Sequence, residues 1–364
     1  MSRLQSVLAV SAVAIAALPS AARAGASVDP AGRVQSQVAS QPVLHDYPPP
    51  HVTDFSPLFK NPAFVRHEQD AADAQAARAP QRRPAPAPQS VVFNGLNAPG
   101  LAATDNVARN QGTPPDTTGA IGPTTYVEFV NSKVGVYDRA NLSSRLAIAD
   151  LDTFVGRSGD SVFDPQVEWD QQGQRWFYLA DDITTAGADL LAFGFSKSTD
   201  PTNLTAGWCR YFINTDMGRP AGTFFDDYPK LGHSNSQVVF AANVFQGNTY
   251  VTGHIWRYSK PAAGTISTCP AAPSLTFFGS PASPLRTTDG NLAGTMAPAN
   301  TADSAVNAYV LGADDAPGSQ IMVWHVSSAG ALIQDGNVNV AAYNIPGTVP
   351  QPGTLNRLDA LDAR

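Results

Sequence analysis

Glutamate is nearly absent from this chain of 364 residues: only Glu68, Glu128 and Glu168 occur, so almost all of its acid is aspartate. Glutamate favours helices and aspartate favours turns and caps, so the bias speaks for strands and loops. Cysteine is equally scarce. Cys209 and Cys269 are the whole supply, too few for a disulfide framework, and no Cys or His pair stands at zinc-ligand spacing. Basic residues are in deficit as well, with 23 Lys and Arg against 30 Asp and Glu. The resulting net charge of -7 argues against nucleic acid or an anionic membrane surface as partner, since both need a cationic face. Beyond the first 24 residues no stretch approaches the about 20 apolar residues of a membrane span. Also missing are a sustained helical period, a Gly-x-Ser-x-Gly elbow, a Walker-type phosphate loop, a dinucleotide fingerprint and an EF-hand-like run.

What is present begins with a leader. Arg3, an apolar run from Val7 to Leu18 and the small-x-small site Ala22-Arg23-Ala24 make residues 1–24 read as a secretory signal peptide. The expected mature protein is soluble and exported, to the periplasm or the medium. Residues 25–89 are rich in Ala, Pro, Gln and Arg and carry Pro48-Pro49-Pro50 and Arg82-Arg83-Pro84-Ala85-Pro86. Such a run holds neither helix nor sheet and reads as a linker or pro-segment with polyproline character.

From residue 90 the chain changes to short β-branched and aromatic runs broken by Gly, Pro, Asn and Asp, the pattern of an all-β domain. Phe163 to Asp182 is its clearest hairpin: Val167 and Trp169 alternate with polar neighbours, Gln171-Gln172-Gly173 turns, and Trp176 to Ala180 returns as an apolar strand. Four units resembling it follow one another. Asp116 leads to a strand ending at Asn131, Asp164 to one ending at Asp181-Asp182, and Asp227 to one ending at Asn243; the offsets are 15, 17 and 16 positions. The fourth unit, less regular, runs from Met296 to Asp314-Asp315. Successive leading aspartates are 48 and then 63 residues apart, the length of a four-stranded antiparallel unit. Such units close radially into a β-propeller, with a β-sandwich as the alternative. The segment from Leu358 to Arg364 looks like the start of a fifth unit, so the expectation is an incomplete ring cut short at its C-terminus.

In an antiparallel blade the first strand starts, and the second ends, on the same face of the disc. Asp116, Asn131, Asp164, Asp181, Asp182, Asp227, Asn243, Asp314 and Asp315 are therefore expected to line one acidic, amide-rich rim. Three readings of that rim stand open: aspartates that cap turns, a hard-cation site of the calcium type, or a carboxylate pair for glycoside hydrolysis, with Asp164, Asp181 and Asp227 as the candidates. His254 and His325 neighbour the strand residues Trp256 and Trp324 and read as packed or hydrogen-bonded histidines. An oxidising compartment permits a disulfide between Cys209 and Cys269. The propeller geometry counts against it, because outer strands of neighbouring blades diverge with radius.

Gly112-Thr113-Pro114-Pro115-Asp116-Thr117-Thr118-Gly119-Ala120-Ile121-Gly122-Pro123, continued by Tyr126-Val127-Glu128-Phe129-Val130-Asn131, resembles the opening of a group of secreted bacterial proteins of largely unassigned function. Phe163-Asp164-Pro165-Gln166-Val167 and Asp227-Tyr228-Pro229-Lys230-Leu231 resemble the same group, and the likeness covers residues 90–364. It implies a sialidase-like propeller and carries over no catalytic residue. The Ser-x-Asp-x-Gly-x-x-Trp turn of sialidases is met only approximately by Asp170 to Trp176, with one extra residue before Gly173. The functional expectation is an exported propeller that binds a glycan or a surface partner through the Asp/Asn face; a glycoside hydrolase and a non-catalytic scaffold are the alternatives.

Overall fold

The computed structural model describes residues 74, 97–102, 105, 115–216, 219–247, 249–288, 290, 292–313, 318–343, 349–350 and 357–358. The chain divides into two units, Met1–Val43 and Leu44–Arg364, and every described residue belongs to the second. The leader, the 25–89 segment apart from Ala74, and Asp314 and Asp315 lie outside the described residues.

Four antiparallel meanders follow in chain order. The first blade is β1 (Thr118–Ile121), β2 (Thr125–Val130), β3 (Lys133–Asp138) and β4 (Arg145–Asp150), and a single helical turn, α1 (Leu151–Val155), leads out of it. The second is β5 (Ser161–Asp170), β6 (Arg175–Ile183), β7 (Asp189–Ser196) and β8 (Trp208–Asn214). The third is β9 (Phe225–His233), β10 (Gln237–Gln246), β11 (Thr249–Ser259) and β12 (Thr276–Phe278). The fourth is β13 (Ala297–Pro298), β14 (Ala308–Ala313), β15 (Gly318–Val326) and β16 (Leu332–Tyr343), followed by the short pair β17 (Val349–Pro350) and β18 (Arg357–Leu358). The Gln171-Gln172-Gly173 turn sits where the pattern predicts it, with Trp169 opposite Trp176 and Asp170 opposite Arg175.

How the sheets pack separates the propeller from the sandwich. Side chains alternate across a strand, and on β6 Trp176, Tyr178 and Ala180 pack with Val127, Phe129, Val134 and Val136 of the first blade. Their neighbours Phe177 and Leu179 pack with Val238, Phe240 and Trp256 of the third. The third blade repeats this, its Val239, Ala241 and Ile255 meeting Val310, Met322 and Trp324 of the fourth. The second and third sheets are thus covered on both faces, whereas a sandwich sheet has one covered face. The first strands meet in succession, β1 with β5, β5 with β9 and β9 with β13. This is a β-propeller arrangement of four blades. On the far face of the fourth blade Tyr309, Leu311, Ile333 and Val338 are exposed.

Cys209 and Cys269 are joined in a disulfide, with a Cα–Cα separation of 5.4 Å, against the expectation from diverging outer strands. The reason lies in the chain between β11 and β12. Cys269 precedes the outer strand rather than following it, in a loop that folds back onto the second blade. Arg175, wholly buried, donates to the carbonyls of Ala262 and Gly264, Ile266 N–H donates to Lys197 O at 2.8 Å, and the Tyr211 hydroxyl donates to Pro270 O at 3.0 Å. These contacts carry Cys269 to Cys209 on β8. Closing a loop of 60 residues removes denatured-state entropy worth roughly 4 kcal/mol. Cys209→Ser with Cys269→Ser is therefore expected to lower unfolding stability by about 2–5 kcal/mol, measured by denaturant titration, and reduction of the unaltered protein should bring its curve onto that of the variant.

Candidate functional site

Each blade begins with a kink. Asp116, Asp164, Tyr228 and Thr295 have φ of 41°, 46°, 58° and 48°, one left-handed residue at the head of each leading strand. The ladder slips there: the β5–β6 register shifts between Phe163 and Gln166, and the β9–β10 register shifts between Asn243 and Ala241. Aspartate tolerates this region, while Tyr and Thr hold it at a cost. Pro165 and Pro229 follow two of the kinks, where the missing N–H costs no ladder bond.

A residue near the end of the second strand lies beside the kink, and in two blades it is an asparagine that holds the kink of the next blade. Asp164 N–H donates to Asn131 Oδ1 at 2.8 Å, and Thr295 N–H donates to Asn243 Oδ1 at 2.7 Å. The amide nitrogens serve the kinks too: Asn131 Nδ2 donates to Asp116, and Asn243 Nδ2 to Thr295 Oγ1 at 3.1 Å. In the second blade the equivalent residue is Asp181. The kink it would hold, Tyr228, donates its N–H instead to Asp227 Oδ1 at 2.9 Å. Both carboxylate oxygens of Asp181 are left without a hydrogen-bond partner among the described residues.

Of the rim predicted from sequence, Asp164, Asp181 and Asp227 come together, one oxygen of each lying within 4.8 Å of the others. They are 7%, 0% and 2% exposed. Asp116 and Asn131 adjoin them through the first clamp, while Asn243 turns to the fourth blade. Two placements differ from the sequence reading. Asp227 is not the repeat partner of Asp164: it stands opposite Asn243 as Phe163 stands opposite Asp181, one residue ahead of the kink. Asp182 is not on the rim, because adjacent strand residues face opposite ways. It points towards the first-blade side, where Arg157 lies 3.0 Å away and also holds Asp160 at 2.7 Å.

Sequence reasoning missed a second acidic group behind the trio. Asp189 Oδ2 accepts the Asp226 N–H at 2.6 Å and the Thr215 hydroxyl at 2.7 Å, and Asp226 Oδ2 lies 3.2 Å from His254 Nδ1. Asp216 caps the loop before β9, accepting N–H bonds from Gly222, Thr223 and Phe224. The available signal was an aspartate inside an apolar run, as in Phe224-Phe225-Asp226 and Asp189-Leu190-Leu191. His254 is packed edge-on against Trp256 with ring centroids 4.5 Å apart, as its strand position predicts. Asp170, the acid of the sialidase-like turn, is structural: it receives the Gln172 N–H at 3.1 Å and Lys260 Nζ at 2.8 Å.

Burial, reinforced by repulsion from Asp164, Asp189, Asp227 and Asp226, holds the Asp181 carboxyl well above the usual carboxylate range. Burial, then Asp226, does the same for Asp189. Asp182 is pushed up to about 7 by burial and Asp160, with Arg157 opposing.

Fold and rim together define a β-propeller with a buried carboxylate cluster where the leading strands begin. No family model and no curated protein matches the chain. Among solved structures, it is similar in part to the Penicillium chrysogenum α-L-arabinanase complexed with arabinobiose, at 10% identity and a TM-score of 0.33 over 58% of this chain and 59% of that one. It is similar also to the GH43_1 enzyme from Xanthomonas citri complexed with xylose, at 11% identity and a TM-score of 0.34, over 62% of this chain and 73% of that one. A third is the subtype N11 neuraminidase-like protein of A/flat-faced bat/Peru/033/2010, at 10% identity and a TM-score of 0.34, over 64% and 61%. The chain thus spans about three fifths of the arabinanase's length. The fold assignment rests on sheet order and inter-blade packing. No helix among the described residues is long and apolar enough to cross a membrane.

A carboxyl whose pKa is raised by folding stabilises the folded state while protonated, and that contribution is lost as pH rises through the folded value. In the presence of chelator, the thermal midpoint is expected to fall between about pH 4 and about pH 7, the window set by Asp182. Asp182→Asn should flatten that slope. A midpoint that climbs across the window would contradict the charge arrangement described.

Proposed function

We propose that this chain is an exported bacterial propeller that binds a glycan or a cell-surface partner at the Asp/Asn-rich rim and does not hydrolyse it. The observation that carries this reading is the closeness and burial of Asp164, Asp181 and Asp227, within 4.8 Å of one another and at most 7% exposed. A glycosidase acid must reach the glycosidic oxygen. At most 7% exposed, the trio offers no carboxyl that a glycosidic oxygen in solvent can reach. The scaffold alternative suits Asp216, which caps a turn, but does not account for Asp181, whose carboxyl oxygens have no hydrogen-bond partner among the described residues.

The groups whose charges act on Asp181 are all carboxylates, so with no cation among them the rim disfavours sialylated or uronic sugars by simple repulsion. Export is supported by the leader sequence and by the Cys209–Cys269 disulfide, which persists in oxidising compartments. The resemblance of the Pro114-Pro115-Asp116-Thr117 opening to secreted bacterial proteins points the same way.

The test is a glycan array with the purified chain, run beside a reducing-sugar assay on the polysaccharides it retains. Retention of neutral glycans without release of reducing ends is expected. Release of reducing ends that is abolished by Asp164→Asn would overturn the non-catalytic reading.

A further inference from the structure

We propose that Asp164, Asp181 and Asp227 bind a hard divalent cation of the calcium class that ties the second blade to the third. The donors come from three strands: Asp164 on β5 and Asp181 on β6 of one blade, Asp227 on β9 of the next. All are carboxylate oxygens, the donor set of calcium rather than of zinc or copper. The nearby imidazole of His254 is engaged with Asp226. Ligands on opposite sides of a calcium ion, each about 2.4 Å from it, stand about 4.8 Å apart, and the three oxygens lie within that limit. Magnesium, at about 2.0–2.1 Å, would draw opposite ligands to about 4.2 Å and demand an octahedral shell.

The independent observation is Asp181 itself. It is fully buried and directed at Asp164 and Asp227, and neither of its oxygens has a partner among the described residues. Leaving a buried carboxylate unpaired is costly. The blades on either side show what the position otherwise does: Asn131 and Asn243 bridge to the next blade with an amide. At Asp181 a carboxyl replaces the amide, and it forms no hydrogen-bonded bridge to the next blade among the described residues. A cation held by Asp181 and Asp227 restores the tie by other means. Behind the trio, Asp189 and Asp226 each keep one buried oxygen without a hydrogen-bond partner among the described residues. The site stands whatever the rim binds, since it concerns the junction of two blades.

The experiment uses the full chain, stripped with EDTA and dialysed, with calcium chloride as probe and magnesium chloride as comparator. Calcium at a hundredfold excess over its dissociation constant is expected to raise the thermal midpoint by about 5–10 °C, with a saturable heat in calorimetric titration and a smaller response to magnesium. Asp181→Asn should lose the calcium response and, in EDTA, unfold no earlier than the unaltered protein, because asparagine supplies the amide used in the flanking blades. Asp227→Asn should lose the response too, which keeps the test open should the first variant fold poorly. An unaltered protein indifferent to calcium in both measurements overturns the proposal. So does either variant that keeps the full calcium shift, since the ion would then sit elsewhere.

Discussion

A sheet covered on both faces must bury every residue along its middle strands, and the four-blade arrangement depends on that constraint. On β6 and β10 it makes alternate side chains belong to different interfaces, so that Trp176 and Phe177, or Val239 and Phe240, serve separate cores although they are adjacent in the chain. Many of the buried polar groups lie towards the strand ends, as Asp170, Asp181, Asp182, Asp189 and Asp226 do. There the leading strands kink, and there the chain places its aspartates and asparagines.

At those ends the energetic balance changes from apolar burial to hydrogen bonding of a few exacting groups. A left-handed residue exposes an N–H that the ladder no longer uses, and Asn131 and Asn243 satisfy it from the previous blade. This couples neighbouring blades through backbone rather than through side-chain packing alone. Asp181 breaks the series, and its consequence is electrostatic: a carboxylate out of water among other carboxylates, held towards its protonated form by burial first and repulsion second. A departure from an internal repeat, at a buried position and with a change of charge, marks a place with a task of its own.

The loop that carries Cys269 shows how a local rule fails by being applied to the wrong element. Outer strands do diverge, but the cysteine belongs to an excursion anchored by the buried guanidinium of Arg175, which lies 5.3 Å from the Phe195 ring centroid and donates to two loop carbonyls. The outer strand β12 that follows the excursion is short, three residues.

By itself the sequence determined the strand-rich class, the four units and the Gln171-Gln172-Gly173 hairpin turn, because alternation and turn chemistry are local properties. It also determined that Asp164 and Asp181 belong together, since the hairpin that contains them has a fixed register. Tertiary structure decided which acids meet across blades. A bulge displaces Asp227 by one residue relative to Asp164, and strand alternation sends Asp182 to the opposite face. Asp189, Asp226 and the disulfide likewise depend on elements far apart in the chain, brought together by packing between sheets, and no spacing within one repeat encodes that distance.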